Sequence, residues 1–175
     1  MEVEKRRYCT GDWIVHNRYG IGKVTGIVEK NLDGHIEEYF KIETSDSMYW
    51  LPVENTYVDH IRPVSSEKEI RQALSIIRKI PETLESKIQD RIRSISDILS
   101  EGDLINLACL MRDLNGRQSI KRLNFSESEI YSRLKKQFIE EWVASAGIDE
   151  NEAEENLEKA LFQSIKKLPE ETSQV

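Results

Sequence analysis

The chain is poor in cysteine: its two cysteines, Cys9 and Cys109, lie far apart in the sequence. Neither has a metal-ligand spacing around it, so the sequence indicates neither a disulfide framework nor a zinc site. Long apolar runs are also missing. The longest, Leu107 to Met111, is far too short to cross a bilayer, and the N-terminus has no apolar core of a signal peptide. These absences predict a cytoplasmic protein without membrane association.

A catalytic constellation is missing as well. His16, His35 and His60 are separated by turns, and no nucleophile or carboxylate is spaced to act with them. The segment from Gly20 to Lys23 matches a phosphate-binding loop only in part, because no serine or threonine follows the lysine. We therefore expect no catalytic residue, no metal, no cofactor and no small-molecule substrate.

Charge is unevenly distributed along the chain, whose formal net charge is −7. An acidic total argues against indiscriminate coating of nucleic acid. Residues 104–136 nevertheless contain seven basic and three acidic side chains. The acidic excess lies at the two ends, and residues 169–175 are interpreted as an acidic tail. The middle of the chain therefore carries a local basic patch.

Residues 1–64 show short strands separated by glycine turns. Phe40 and Ile42 alternate with polar neighbours at the period of a half-buried strand. Asp33-Gly34 is a strong signal for a type I′ hairpin turn. Several such strands in so short a segment predict a small SH3-like or Tudor-like β-barrel. The strands of the hairpin are predicted at residues 24–30 and 36–44.

A further strand is predicted at residues 48–52. Pro52 lacks an N–H group, which restricts the end of this strand to a sheet edge. If Leu51 points inward, Trp50 points outward. An exposed tryptophan is a typical anchor for another protein, so Trp50 is a candidate binding residue.

Residues 65–168 carry apolar side chains at helical spacing, which predicts an all-α bundle of about five helices. The chain is thus assigned to the α+β multidomain class, with a barrel followed by a helical domain. Pro81 is placed in the first turn of the second helix. Capping patterns are read at Ser66 with Glu69, Ser100 with Asp103, Ser126 with Glu129 and Asp149 with Glu152. The stripe of the second helix is Leu84, Ile88, Ile92, Ile95 and Leu99.

A polar, basic link is predicted between the third and fourth helices, from Asn115 to Phe125, because Asn115-Gly116 is a helix stop signal. Its basic side chains, with those of the second helix, are candidates for phosphate contacts; the alternative is an ordinary solvated loop. Neutralising about four to six phosphates would give a log–log salt slope of roughly −4 to −5 on duplex DNA. The basic candidates for DNA binding are Lys87, Arg91, Arg112, Arg117, Lys121 and Arg122.

The motif GDWIVHNRYGIGKVTGI, the EYFKI strand and the LPVEN segment resemble the CarD/CdnL family of bacterial transcription regulators. The family shares this barrel with transcription-repair coupling factors. The string LSEGDLINLACLMRDL, followed by a basic stretch and a capped helix, is similar to the C-terminal domain of that family. The resemblance implies that the barrel binds the β subunit of RNA polymerase. It also implies that the helical domain contacts promoter DNA at the upstream edge of the melted bubble and stabilises the open complex.

By position, the resemblance also implies individual contacts. Lys30 matches a basic polymerase contact of the family, and Trp50 lies where the family often has a second one. We expect Lys30, Trp50, Glu43 and Tyr49 to form the polymerase-binding surface. Ile88 lies where the family has a tryptophan that wedges into the minor groove. It is kept among the DNA-binding candidates, although its place on the apolar stripe favours a core role.

The predicted function is therefore a non-enzymatic transcription regulator that binds RNA polymerase and promoter DNA. The alternative is a polymerase-bound adapter whose helical domain binds another protein instead of DNA. A small hydrolase is a third class, but it would need a clustered histidine and carboxylate site that the sequence does not offer.

Overall fold

The structure is a computed structural model in which residues 7–32, 34–54 and 60–169 are described. The chain divides into two compact units, Met1–Val64 and Ser65–Val175. The first unit contains strands and the second contains helices. The predicted α+β class is confirmed. Apart from Pro169, the predicted acidic tail lies outside the described residues.

The described residues of the first unit form a five-stranded antiparallel sheet with the strand order β4-β3-β2-β1-β5. This arrangement confirms the predicted small barrel. The predicted strand at residues 48–52 is β4, and it lies at an edge of the sheet as expected from its proline. The strands are β1 (Trp13–His16), β2 (Gly20–Leu32), β3 (His35–Glu43), β4 (Met48–Pro52) and β5 (Ile61–Pro63).

The hairpin between β2 and β3 is the longest pairing of the sheet. Leu32 pairs with His35, so a two-residue loop connects the strands. Gly34 has a φ of 86°, as the second central position of a type I′ turn requires. Asp33, the other central residue of the predicted turn, lies outside the described residues.

The core of the barrel is formed by one face of these alternating strands. Ile14, Val24, Phe40 and Ile42 are fully buried and pack together. Leu51 of β4 packs against the same cluster. Because successive side chains of a strand point to opposite faces, this core fixes which residues β3 and β4 present outside.

The second unit contains the five predicted helices around one apolar core. Ser66 and Glu69 form the predicted capping box, and Asp149 caps the last helix through the backbone N–H of Asn151. The helices are α1 (Glu67–Ile77), α2 (Ile88–Glu101), α3 (Leu104–Ile120), α4 (Phe125–Ala146) and α5 (Glu150–Ile165).

The second helix differs from the prediction. Residues 80–87 are not helical, and α2 begins only at Ile88. Of the predicted stripe, Ile95 is buried and Leu84 and Leu99 are partly buried against the core, whereas Ile88 and Ile92 are exposed. In the first turn of α2, the side chain that points inward is that of Arg91, which forms a buried ion pair.

The third helix continues through its predicted stop at Asn115-Gly116. The side chain of Asn115 donates to the carbonyl of Leu161 and accepts from the hydroxyl of Tyr131, so tertiary hydrogen bonds satisfy it inside a helix. Gly116 is buried against Pro81. The predicted basic loop from Asn115 to Phe125 is therefore mostly helix.

The fourth helix begins earlier than predicted. Asn124, not Ser126, is the N-cap, and its side chain accepts from the N–H of Glu127 at 2.8 Å. The side chain of Glu127 in turn accepts a hydrogen bond from the N–H of Asn124 at 3.0 Å, and this second bond completes a capping box.

We expect Gly116→Ala to destabilise the helical unit. The new methyl group would overlap Pro81, and overpacking of this kind costs about 1–3 kcal/mol, more than the helix-propensity gain of about 1 kcal/mol. Urea unfolding followed by circular dichroism should show a smaller free energy of unfolding. Gln118→Ala, at an exposed position of α3, is the matched control and should change that free energy by less than about 0.5 kcal/mol. A more stable Gly116→Ala variant would show that no close packing exists.

Candidate functional site

Trp50 lies on the outside of the barrel. Its side chain is 44% exposed, whereas its neighbour Leu51 is only 6% exposed. The predicted orientation of these two residues is therefore confirmed. Among the described residues β4 pairs only with β3, so Trp50 lies on an edge strand of the sheet.

Lys30 and Trp50, the two predicted polymerase contacts, touch each other. The Nζ atom of Lys30 lies 3.3 Å from the centroid of the Trp50 ring and 5.6 Å from that of Tyr39. The negative face of an aromatic ring attracts such an ammonium group by about 0.5–1 kcal/mol at an exposed site. The lysine therefore places a positive charge directly on the exposed ring.

Glu43 lies on the same side of the sheet. Lys41, the cross-strand partner of Trp50, forms an ion pair with Glu43 at 2.7 Å. The hydrogen bond and charge of Lys41 hold the pKa of the Glu43 carboxyl below its ordinary value. We call this side the outer face of the barrel. It carries Lys30, Tyr39, Lys41, Glu43 and Trp50.

Tyr49 does not belong to the outer face, so the prediction that it joins Trp50 in one interface is wrong. Its ring packs against the core and lies 4.7 Å from the ring of Tyr19. Burial raises the pKa of Tyr49 to about 12, with a smaller contribution from Tyr19. Alternation along β4 explains the difference, because residues 49 and 51 share the inner side of the strand.

Beside Tyr49, the buried ring of His16 lies in a group of aromatic and imidazole rings that reaches the surface. The imidazole of His16 lies 4.6 Å from the ring of Tyr19, 4.9 Å from that of His60 and 5.8 Å from that of Tyr49, measured between centroids. His16 Nδ1 accepts a hydrogen bond from the N–H of Arg18 at 3.0 Å. Burial, with His60 and Arg18 nearby, lowers the pKa of His16 to about 4. The ring is therefore neutral at neutral pH and serves as a hydrogen-bond acceptor.

In the helical unit, Lys87, Lys121 and Arg122 are exposed as predicted for phosphate contacts. Lys87 is the N-cap residue of α2, and Lys121 is the C-cap residue of α3. Ile88 is 60% exposed at the start of α2, so the expected core role of Ile88 is wrong. The apolar side chain of Ile88 and the cation of Lys87 are thus neighbours on the surface at the N-terminus of α2.

Arg112 is not available to DNA. Its side chain is buried, donates to the carboxylate of Asp113 at 2.7 and 3.1 Å, and lies 3.1 Å from Glu82. Asp113 also accepts from the N–H of Glu82 at 2.7 Å, so the group fixes the segment before α2. The prediction that Arg112 contacts DNA is contradicted by this burial.

Arg91 is likewise buried, contrary to its predicted place on the DNA-binding surface. Its Nε donates to Glu127, and its Nη1 donates to the carbonyls of Glu85 and Ser86. Arg117 is half-buried on α3, with Nε 3.5 Å from the second oxygen of Glu127. These two arginines therefore hold a carboxylate inside the unit, and only part of Arg117 faces solvent.

The sequence analysis missed Glu127, the buried carboxylate that Arg91 and Arg117 face. Burial alone would raise the pKa of its carboxyl, but the backbone hydrogen bond at Asn124 and the bond and charge of Arg91 outweigh it and lower that pKa. The available signal was its position three residues after an asparagine, which is a capping-box spacing. Phe125, which is 79% exposed, was also missed because it was placed at the end of a loop.

Metal sites and membrane-spanning helices concern the described residues 7–32, 34–54 and 60–169. These residues contain no group of three or more histidine, cysteine, aspartate or glutamate side chains able to hold a metal ion. No helix there is both long and apolar enough to span a membrane.

The geometry defines a two-unit protein in which an edge-strand surface and a helical surface are presented by separate parts of the chain. Two family models match these parts. Residues 8–65 match the CarD-like/TRCF RID domain, and residues 72–158 match the CarD C-terminal domain. The chain belongs to the CarD/CdnL family. It is therefore a transcription-associated, RNA polymerase-interacting protein.

The buried state of His16 gives a pH-dependent prediction. In an NMR titration, the His16 imidazole should titrate with a midpoint at about pH 4. The unfolded chain takes up this proton near its ordinary pKa of 6.5, before the folded chain does. The contribution of His16 to barrel stability is therefore complete above about pH 6.5 and is lost progressively as the pH falls toward about 4. His16→Asn should flatten this dependence, and a midpoint near the ordinary value would refute the burial argument.

Proposed function

We propose that this protein binds the β subunit of bacterial RNA polymerase through the outer face of its barrel and contacts promoter DNA through its helical unit. In this proposal it changes the stability of the open complex and performs no chemical step. We also propose that it acts in the cytoplasm. The support comes from the two family matches and from the exposed side chains of each unit.

The polymerase contact is assigned to Trp50 and Lys30. A large exposed aromatic beside an accessible strand edge is a typical protein-binding anchor, and backbone pairing at such an edge adds affinity. The Lys30 ammonium on the Trp50 ring supplies the cation that the family places in this region. Glu43 is included at the margin of this surface, where its pairing with Lys41 leaves it partly exposed.

The DNA contact is assigned to Lys87, Ile88, Lys121 and Arg122. The observation that carries this assignment is the exposure of Ile88, because its side chain is free to enter a groove and a lysine precedes it. With Arg91 and Arg112 buried and Arg117 half-buried against Glu127, three of the six basic candidates remain, and fewer phosphates are neutralised than the sequence suggested. About three contacts give a log–log salt slope of about −3 on duplex DNA.

A second candidate function is supported by a separate observation. Ile92 is 54% exposed and Phe125 is 79% exposed, and apolar side chains of this size are typical of protein-binding surfaces. The rival proposal is therefore a polymerase-bound adapter whose helical unit binds another protein.

We expect Trp50→Ala to weaken binding to isolated polymerase β subunit by about 30-fold, the loss typical of a hot-spot aromatic at about 2 kcal/mol. Lys30→Glu should weaken this binding as well, because the substitution replaces the positive charge over the Trp50 ring by a negative one. Surface plasmon resonance measures both. Trp13→Ala and Lys23→Glu are matched controls, since this second tryptophan–lysine pair of the barrel has its Nζ 5.7 Å from the ring. Equal losses of affinity for the variants of both pairs would contradict the assignment of the contact to Trp50 and Lys30.

For DNA, fluorescence anisotropy on a forked promoter duplex should show binding that weakens with salt. Replacing Lys121 and Arg122 together by alanine should weaken this binding by about tenfold, because two phosphate contacts are lost. Lys68→Ala with Arg71→Ala removes the same two residue types from an exposed part of α1 and should leave the affinity unchanged. Salt-independent binding, or no binding by the wild-type protein, would favour the adapter.

A further inference from the structure

One carboxylate links three helices of the helical unit. Glu127 is 3% exposed, and its Oε1 accepts from Nε of Arg91 on α2. Its Oε2 accepts from the N–H of Asn124 at 3.0 Å and lies 3.5 Å from Nε of Arg117 on α3. The N-terminus of α4, the C-terminal part of α3 and the first turn of α2 are therefore tied to the same group.

The same arginine also holds the segment that precedes α2. Nη1 of Arg91 donates to the carbonyl of Glu85 and, at 3.1 Å, to the carbonyl of Ser86. These carbonyls belong to non-helical backbone just before α2, whose earlier part is held separately by the bond from the N–H of Glu82 to Asp113. Through Arg91, the position of this backbone depends on Glu127.

The exposed DNA-binding candidates lie beside these anchor points. Lys87 and Ile88 directly follow Ser86, and Lys121 and Arg122 lie between Arg117 and Asn124. The two surface segments are far apart in sequence, but both are fastened to one buried ion pair. A change in that pair would move them relative to each other.

Stability alone does not account for such a pair. A buried ion pair can often be replaced by apolar side chains of similar volume without loss of stability, because desolvation of the two charges cancels much of their attraction. Apolar side chains do not reproduce directional hydrogen bonds to backbone carbonyls. What the pair adds is a fixed direction for the chain at Glu85 and Ser86.

We propose that Arg91 and Glu127 are positioning residues that hold the Lys87–Ile88 and Lys121–Arg122 segments in one arrangement suited to DNA. This inference rests on the DNA contact proposed above. Preorganisation of this kind raises affinity because the segments need not be ordered on binding. Neither residue touches DNA in this proposal.

The test uses the full chain with Arg91→Met and Glu127→Leu together, which removes both buried charges and leaves the net charge unchanged. The side-chain cap of Asn124 on α4 remains in this variant. We expect cooperative unfolding close to that of the wild type and a Kd for forked duplex about tenfold higher. Lys135→Met with Glu158→Leu is the matched control, because this half-exposed pair between α4 and α5 carries the same two charges. The control should bind DNA as the wild type does.

A double-mutant cycle separates positioning from stability. In the wild-type background, Lys87→Ala should raise Kd by about fivefold, as expected for one phosphate contact. In the Arg91→Met, Glu127→Leu background the same change should raise Kd less than twofold, because Lys87 is no longer held in place. A merely structural role of the pair would leave the Lys87 effect unchanged. A folded double variant that binds like the wild type would overturn the inference and leave the DNA contact intact.

A failure of the wild-type protein to bind DNA would refute the proposed function. Amide hydrogen exchange tests the positioning role of Arg91 and Glu127 independently of that result. In the double variant, amides in peptides spanning residues 84–90 and 119–127 should exchange about tenfold faster, whereas those of α5 should not change. Unchanged exchange in both peptides would overturn the positioning role.

Discussion

Beside its apolar core, the helical unit holds a buried carboxylate, that of Glu127, which joins α2, α3 and the start of α4. An ionised group of this kind is costly to remove from water, so it has to be surrounded by donors. The chain supplies them from Arg91 and from the backbone N–H of Asn124, with the charge of Arg117 nearby. Satisfying this one group turns Arg91 inward, fixes the start of α4 and sets the chain direction before α2. Ile88 and Ile92, in the N-terminal half of α2, remain exposed beside it.

In the barrel the corresponding constraint is that successive side chains of a strand point to opposite faces of the sheet. Phe40 and Ile42 fill the interior, and this choice places Lys41 and Glu43 on the other side of β3. The same rule on β4 separates Tyr49 and Leu51 from Trp50. The outer face is therefore a consequence of how the core is packed, and its aromatic residue already carries a cation from β2.

Local signals were reliable where they did not compete with tertiary contacts. The β2–β3 hairpin, the inward Leu51 and the Ser66 capping box follow from turn chemistry, alternation and capping, which act over a few residues. The stop predicted at Asn115-Gly116 failed because Leu161, Tyr131 and Pro81 make that sequence suitable for a helix. The candidate site was predicted less well, since a basic residue in a sequence looks the same whether it faces solvent or a buried carboxylate.

The sequence by itself determined the order of the two units, the three strands at β2, β3 and β4, the five helices, and the exposed cations Lys87, Lys121 and Arg122. These depend on periodicity and composition, which are local properties. Only the tertiary structure decided that Arg91 and Arg112 are internal and that Ile88 is on the surface. The physical reason is that Arg91 pairs with Glu127 and Arg112 with Glu82, partners distant in the chain that come within reach only when the helices are packed.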